Sequence, residues 1–136
     1  MTKYQQNASK DVKPVEQVAG GLRRTLVDGA KMMLIEWTFK KGVVVPLHQH
    51  PHEQCGYIVK GKMIFTCDGE EHVLTPGMSY LVQGNVPHGA QFAAATVAVD
   101  IFSPPRADYR GDKPSQYKIV KPKAAPNKKQ SVPKRK

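Results

Sequence analysis

Three of the five histidines in this chain fall within five residues, His48-Gln49-His50-Pro51-His52, and Glu53 and Gln54 follow directly. Imidazole nitrogens together with carboxylate or amide oxygens are donors suited to a divalent transition metal. In an extended strand alternate side chains share a face, so His48 and His50 point the same way. Pro51 bends the chain and leaves His52 outside that alternation. Either Glu53 or Gln54 can face the side of His48 and His50, but as neighbours they cannot both do so. Far along the chain, Gly84-Asn85-Val86-Pro87-His88 brings His88 to the start of another strand after a tight turn. Three imidazoles and one oxygen donor inside a small barrel would form a transition-metal site. The competing reading is a polar pocket without metal. A lone histidine is more often a hydrogen-bonded core or surface residue, which is the reading for His72 and His52. A His-x-His pair on one strand face resists it, because buried imidazoles without partners are costly.

A second group lies in Val99-Asp100-Ile101-Phe102 and the following Ser-Pro-Pro-Arg. Alternation puts Asp100 and Phe102 on one face, opposite Val99 and Ile101. If the apolar pair packs in a sheet interface, Asp100 and Phe102 point into the barrel mouth. Arg106, beyond Pro104-Pro105, can then fold back over it. The alternative is a salt bridge from Asp100 to an arginine, with Phe102 as ordinary core. A charged group in an apolar strand calls for a reason.

The elements that must hold these residues are short strands. Lys31–Phe39, Val43–His48, Gln54–Lys60, the Met63–Cys67 region and Thr96–Phe102 read as strands, with turns at Gly61, Asp68-Gly69 and Pro76-Gly77. Asp11–Gly20 carries only a partial helical stripe. Prolines 46, 76, 87, 104 and 105 are expected at strand ends or edges. Such spacing of strands and turns predicts an all-β sandwich or barrel.

The chain has 136 residues, enough for one ordinary domain, and a net charge of +10. Eight of its Lys and Arg lie in 118–136 with no acid among them, so the rest carries only +2. That Lys/Pro-rich segment has no aromatic residue for base stacking and little apolar surface. It is expected to be a disordered, solubilising tail, with at most weak nucleic-acid binding. The expected organisation is an arm over 1–20, a barrel over 21–117 and the tail over 118–136. No membrane span is expected, and the polar N-terminus without an apolar centre suggests a cytoplasmic protein. Cys55 and Cys67 lack metal or redox spacing and are expected to be reduced thiols.

The histidine-rich stretch resembles the first cupin motif, Gly-x5-His-x-His-x3-Glu-x6-Gly, running from Gly42 to Gly61 with Gln54 in the glutamate position. Gly77 to His88 resembles the second, Gly-x5-Pro-x-Gly-x2-His, with Gln83 and Asn85 replacing its proline and glycine. The resemblance covers about Leu22 to Phe102. It implies a single-domain cupin jelly roll and one divalent metal per chain (Ni, Zn, Fe, Mn or Co) on His48, His50, Gln54 and His88. Since Gln54 brings no charge, the ion would keep its full +2, which favours Lewis-acid chemistry over oxygen activation.

Together with Asp100, Phe102 and Arg106, the motifs look like the small cupins of pectin and alginate breakdown. In that family 4,5-unsaturated uronate monosaccharides become linear 5-keto-4-deoxyuronate. The resemblance gives the acid, aromatic and arginine roles of catalysis and substrate binding to Asp100, Phe102 and Arg106. It implies a small anionic sugar as substrate; a homodimer is also expected. The rival readings are another metal-dependent cupin isomerase, cyclase or dioxygenase, a non-catalytic sugar-acid sensor, and a nucleic-acid-associated protein.

Overall fold

The structure is a computed structural model, and it describes residues 3–120. Its logic is plainest in β3 (Met33–Phe39), where Met33, Ile35, Trp37 and Phe39 are buried and the residues between them are half-buried. That period-2 pattern is what a strand with one face on a core requires. β10 (Thr96–Ser103) repeats it with Thr96, Ala98, Asp100 and Phe102 inward.

Among the described residues ten strands form two antiparallel sheets. The larger runs in the order β1 (Val15–Val18), β2 (Gly21–Asp28), β3, β10, β5 (Glu53–Lys60), β8 (Ser79–Val82). The smaller runs β4 (Val44–His48), β9 (His88–Phe92), β6 (Met63–Cys67), β7 (Glu70–Leu74). The sheets face each other over a core in which Phe39 stacks on Phe92, ring centroids 3.8 Å apart, at the end opposite the histidines. The fold is the all-β jelly roll expected from the strand spacing. No helix among the described residues is long and apolar enough to cross a membrane.

Several local expectations change. The partial helical stripe before Gly20 is instead a short 3-10 turn, Ser9–Asp11, followed by β1. Gly20, at φ +81°, closes a tight hairpin that lays Val18 against the core and pairs β1 with β2. The rest of the arm runs beside β2. Gln5 exchanges hydrogen bonds with the Asp28 backbone (2.7 and 3.0 Å), Asn7 donates to Leu26 O (2.6 Å), and the Ser9 hydroxyl reaches the Glu36 carboxylate. Pro46 lies inside β4, at an irregularity in its pairing with β9; β4 is an edge strand, so the missing N–H breaks no second ladder. Among the described residues the other face of β10 meets no second sheet: Ile101 is exposed, as are Tyr57, Val59 and Leu81 on neighbouring strands.

Residues 118–120, expected in the tail, lie along the edge of β4. Ile119 bridges to His48, Val120 N donates to Leu47 O (2.9 Å) and Gln49 N to Lys118 O (3.4 Å). The open edge of β4 offers backbone partners, and the chain takes them. The remainder of the expected tail, 121–136, lies outside the described residues.

Candidate metal centre

His48 and His88 are opposed across β4 and β9, and His50 follows β4 in the loop that leads to β5. All three are buried, and one ring nitrogen from each lies within 4.8 Å of the others. The backbone sets their tautomers. Each Nδ1 sits beside a carbonyl, Pro46 O for His48 (2.8 Å), His52 O for His50 (3.1 Å) and Val86 O for His88 (2.8 Å). A carbonyl can only accept, so each Nδ1 carries the proton and each Nε2 is left with a lone pair. Burial, then the adjacent His88, pushes His48 down to about 4. Burial, then the Arg106 charge, pushes His50 down to about 3. Burial also lowers His88. The rings are therefore neutral ligands at neutral pH.

Gln54 completes the set. It is buried on β5, and its Nε2 donates to Asp100 Oδ2 (3.1 Å) and to the Tyr80 hydroxyl (3.2 Å). Its Oε1 is thereby aimed at His50 Nε2, 3.1 Å away. Both atoms are acceptors, and His88 Nε2 is buried without a partner. Lone pairs converging on one point with no proton among them are unfavourable unless a cation joins them. The residues fit a divalent metal held by three imidazoles and an amide oxygen.

Behind Gln54 stands a buried row across the large sheet, in which Ile35, Asp100, Gly56 and Tyr80 lie side by side. The Tyr80 hydroxyl donates to Asp100 Oδ1 (2.5 Å), and Trp37 also hydrogen-bonds the carboxylate. Burial raises Asp100 to about 6, against the opposing pull of these donors and of Arg106. Gly56 makes the row possible, since a Cβ there would sit 2.2 Å from Asp100 Oδ1 and 2.4 Å from the Tyr80 ring.

Arg106 does fold back toward the site, but it is not a free clamp. It is buried, its Nε and Nη2 are bound by Asp108 (3.2 and 2.7 Å), and its guanidinium lies 4.0 Å from the Tyr109 ring centroid and 5.4 Å from that of Phe102. Asp108, two residues on, is its ion-pair partner, which leaves Nη1 uncommitted to that pair. Phe102 is 1% exposed and meets the His50 ring edge-on, 5.7 Å between centroids. Among the described residues Asp100 makes no salt bridge to an arginine; its partners are Tyr80, Gln54 and Trp37. His72 lies at the surface beside Glu70, and His52 supplies its carbonyl to His50 from outside the cluster. Cys55 and Cys67 are free thiols.

Tyr80, Trp37, Gly56 and Tyr117 belong to the site and carry no motif signal. Tyr80 stands three residues beyond Gly77 of the Pro76-Gly77 turn, and its partner Asp100 lies 20 residues away in sequence, beyond the reach of any local pattern.

Residues 35–102 match the cupin domain family. Among solved structures, an RmlC-like cupin from Shewanella frigidimarina is 30% identical with a TM-score of 0.75, over 79% of this chain and 96% of that one. KdgF from Halomonas sp. is 27% identical with a TM-score of 0.73, over 76% of this chain and 98% of that one. The polyketide cyclase RemF from Streptomyces resistomycificus is 20% identical with a TM-score of 0.65, over 74% and 78%, and is alike in fold. No curated protein sequence matches the chain. The family match spans half the chain, and the 30%-identical structure is covered over nearly its whole length, so the chain belongs to the cupin family.

Proposed function

We propose that this cupin is a metal-dependent enzyme that converts 4,5-unsaturated uronate monosaccharides into linear 5-keto-4-deoxyuronate. The observation that carries the proposal is the cavity lining: among the described residues, one carboxyl group, Asp100, and one cationic side chain, Arg106, line the same cavity as His48, Gln54 and His88. The likeness to KdgF and the resemblance of the motifs to the cupins of pectin and alginate breakdown support the same reading.

The reaction is an isomerisation, so atoms must balance. The anomeric hydroxyl loses its proton, the bond from C1 to the ring oxygen breaks, and that oxygen becomes an enol. C4 then gains a proton while the enol oxygen loses one, leaving a ketone at C5. A divalent ion held by His48, His50, Gln54 and His88 supplies Lewis-acid stabilisation of charge on the substrate oxygens. Arg106 orients the substrate carboxylate through Nη1, its position fixed by Asp108 and the Tyr109 ring. Asp100 gives C4 its proton and recovers the one the enol loses, with Tyr80 donating to its carboxylate form. Phe102 packs against His50 and keeps the ring in place.

The test is incubation of the metal-loaded protein with unsaturated galacturonate, following loss of the conjugated C4=C5 absorbance. Steady loss of absorbance with stoichiometric metal supports the proposal. Metal binding without turnover under Ni, Zn, Fe, Mn or Co sinks it in favour of another cupin reaction or a sensor.

A further inference from the structure

Beyond Tyr109, the chain turns back across the open end of the barrel. One side of this crossing is tied to the large sheet. Gln17, buried on β1, donates Nε2 to Ser115 O (2.8 Å) and Ser115 Oγ (3.0 Å), and its Oε1 accepts from Ser115 N (3.1 Å). Arg23 supports it, donating Nη1 to Gln17 Oε1 (2.6 Å) and Nη2 to Gly111 O (2.8 Å). The other side is tied to the small sheet through Val120 N to Leu47 O and the Ile119 bridge to His48. Between the two anchors Tyr117 turns inward. Its ring lies 4.4 Å from that of His48, and its hydroxyl is 3.4 Å from the Tyr109 hydroxyl.

The space left beneath is about 50 Å³. That is room for a water or two, at roughly 30 Å³ each, whereas sites for drug-sized ligands run to about 300–1,000 Å³. With the Tyr117 ring against His48, that space is too small to hold a sugar. The crossing is lightly held: Lys113, Pro114, Gln116, Lys118 and Ile119 are all exposed, and a few hydrogen bonds secure it. Few buried contacts on an exposed backbone mean a low cost of local opening.

We propose that residues 113–120 form a strap that opens and closes over the metal centre, with Tyr117 as the plug that decides what reaches His48. The inference rests on the metal-site reading and is independent of the uronate reaction.

Two measurements test it. The full-length protein, wild type, Tyr117→Ala and Tyr117→Phe, is loaded with Co(II), and loss of metal to excess EDTA is followed. Tyr117→Ala is expected to release Co(II) at least about tenfold faster than wild type from equal initial occupancy, and Tyr117→Phe, which keeps the ring, to stay close to wild type. Equal rates for wild type and Tyr117→Ala overturn the proposal. Hydrogen exchange on the unmodified protein tests the strap even if Tyr117→Ala folds poorly. The Ser115 and Val120 amides should exchange well before those of β3 and β10; exchange only together with those strands overturns the proposal. If the wild type takes up no Co(II), the metal-site reading has failed, and hydrogen exchange still decides the strap.

Discussion

Gln54 donates its amide nitrogen to Asp100 at 3.1 Å, and that hydrogen bond decides which end of the amide faces the histidines. Asp100 is therefore tied to the metal site before any role in proton transfer. The same contact shapes what two substitutions should do.

Asp100→Asn replaces an acceptor-only carboxylate with a group that presents its own N–H to Tyr80, Gln54 or Trp37. We expect kcat to fall by about a hundredfold or more, because the proton source is lost. We also expect metal affinity to fall about 10–100-fold, because Gln54 loses the partner that orients it. Tyr80→Phe keeps the contact between Gln54 and Asp100 and should hold metal nearly as wild type. Metal titration beside the absorbance assay separates the two roles. Full activity of Asp100→Asn on unsaturated uronates would sink the proposed proton transfer.

Gln54→Glu sets a second carboxyl group against Asp100. Two carboxylates at that distance do not both ionise readily, so one holds a proton unless the metal offsets the repulsion. Metal binding should be kept or tightened, while kcat falls by about tenfold or more, equivalent to ~1.4 kcal/mol in the barrier. Undiminished turnover at equal metal content would show that a neutral fourth donor is not needed.

Removal of the metal ligands gives a direct count. Metal analysis should find one divalent ion per chain in wild type and almost none in a His48→Ala, His50→Ala double variant. A ligand bound only by the folded state stabilises it by about 2.7 kcal/mol when its free concentration is 100-fold above Kd. Chelation should accordingly lower the Tm of wild type by several degrees and leave that of the double variant unchanged.

Gly56→Ala tests the row behind the ligand. The added methyl group would collide with Asp100 Oδ1 at 2.2 Å and with the Tyr80 ring, with strands packed on both sides. A cost of about 1–3 kcal/mol is expected, read as a fall in Tm, together with weaker metal binding as Asp100 is pushed away from Gln54. Wild-type Tm and affinity would mean the row relaxes freely.

A chain ending at Val120 keeps every described contact of the strap, and its Tm and turnover should match those of the full chain. A fall in Tm well beyond a few degrees would show that the Lys/Pro-rich segment docks on the barrel.

The all-β fold and the meeting of His48, His50 and His88 were legible because both rest on short-range rules. Strand alternation predicts that His48 and His50 point the same way, although β4 ends at His48 and the following loop brings His50 in, and turn residues mark where His88 begins its strand. Arg106 shows the limit of such rules. Its partner Asp108 is two residues away, yet the pairing depends on where the chain heads after Pro104-Pro105, which alternation does not encode. Asp100, Gly56, Tyr80 and Trp37 come together only through the register of β3, β10, β5 and β8, strands far apart in sequence. Tyr117 reaches His48 because Gln17 at one edge and Leu47 at the other offer hydrogen bonds to the segment that carries it. Local periodicity points to the histidines, and the choice of Gln54 over Glu53 comes from the resemblance to the cupin motif. The orientation of Gln54 and the closure over His48 come from contacts between segments distant in sequence, and only the folded chain brings those segments together.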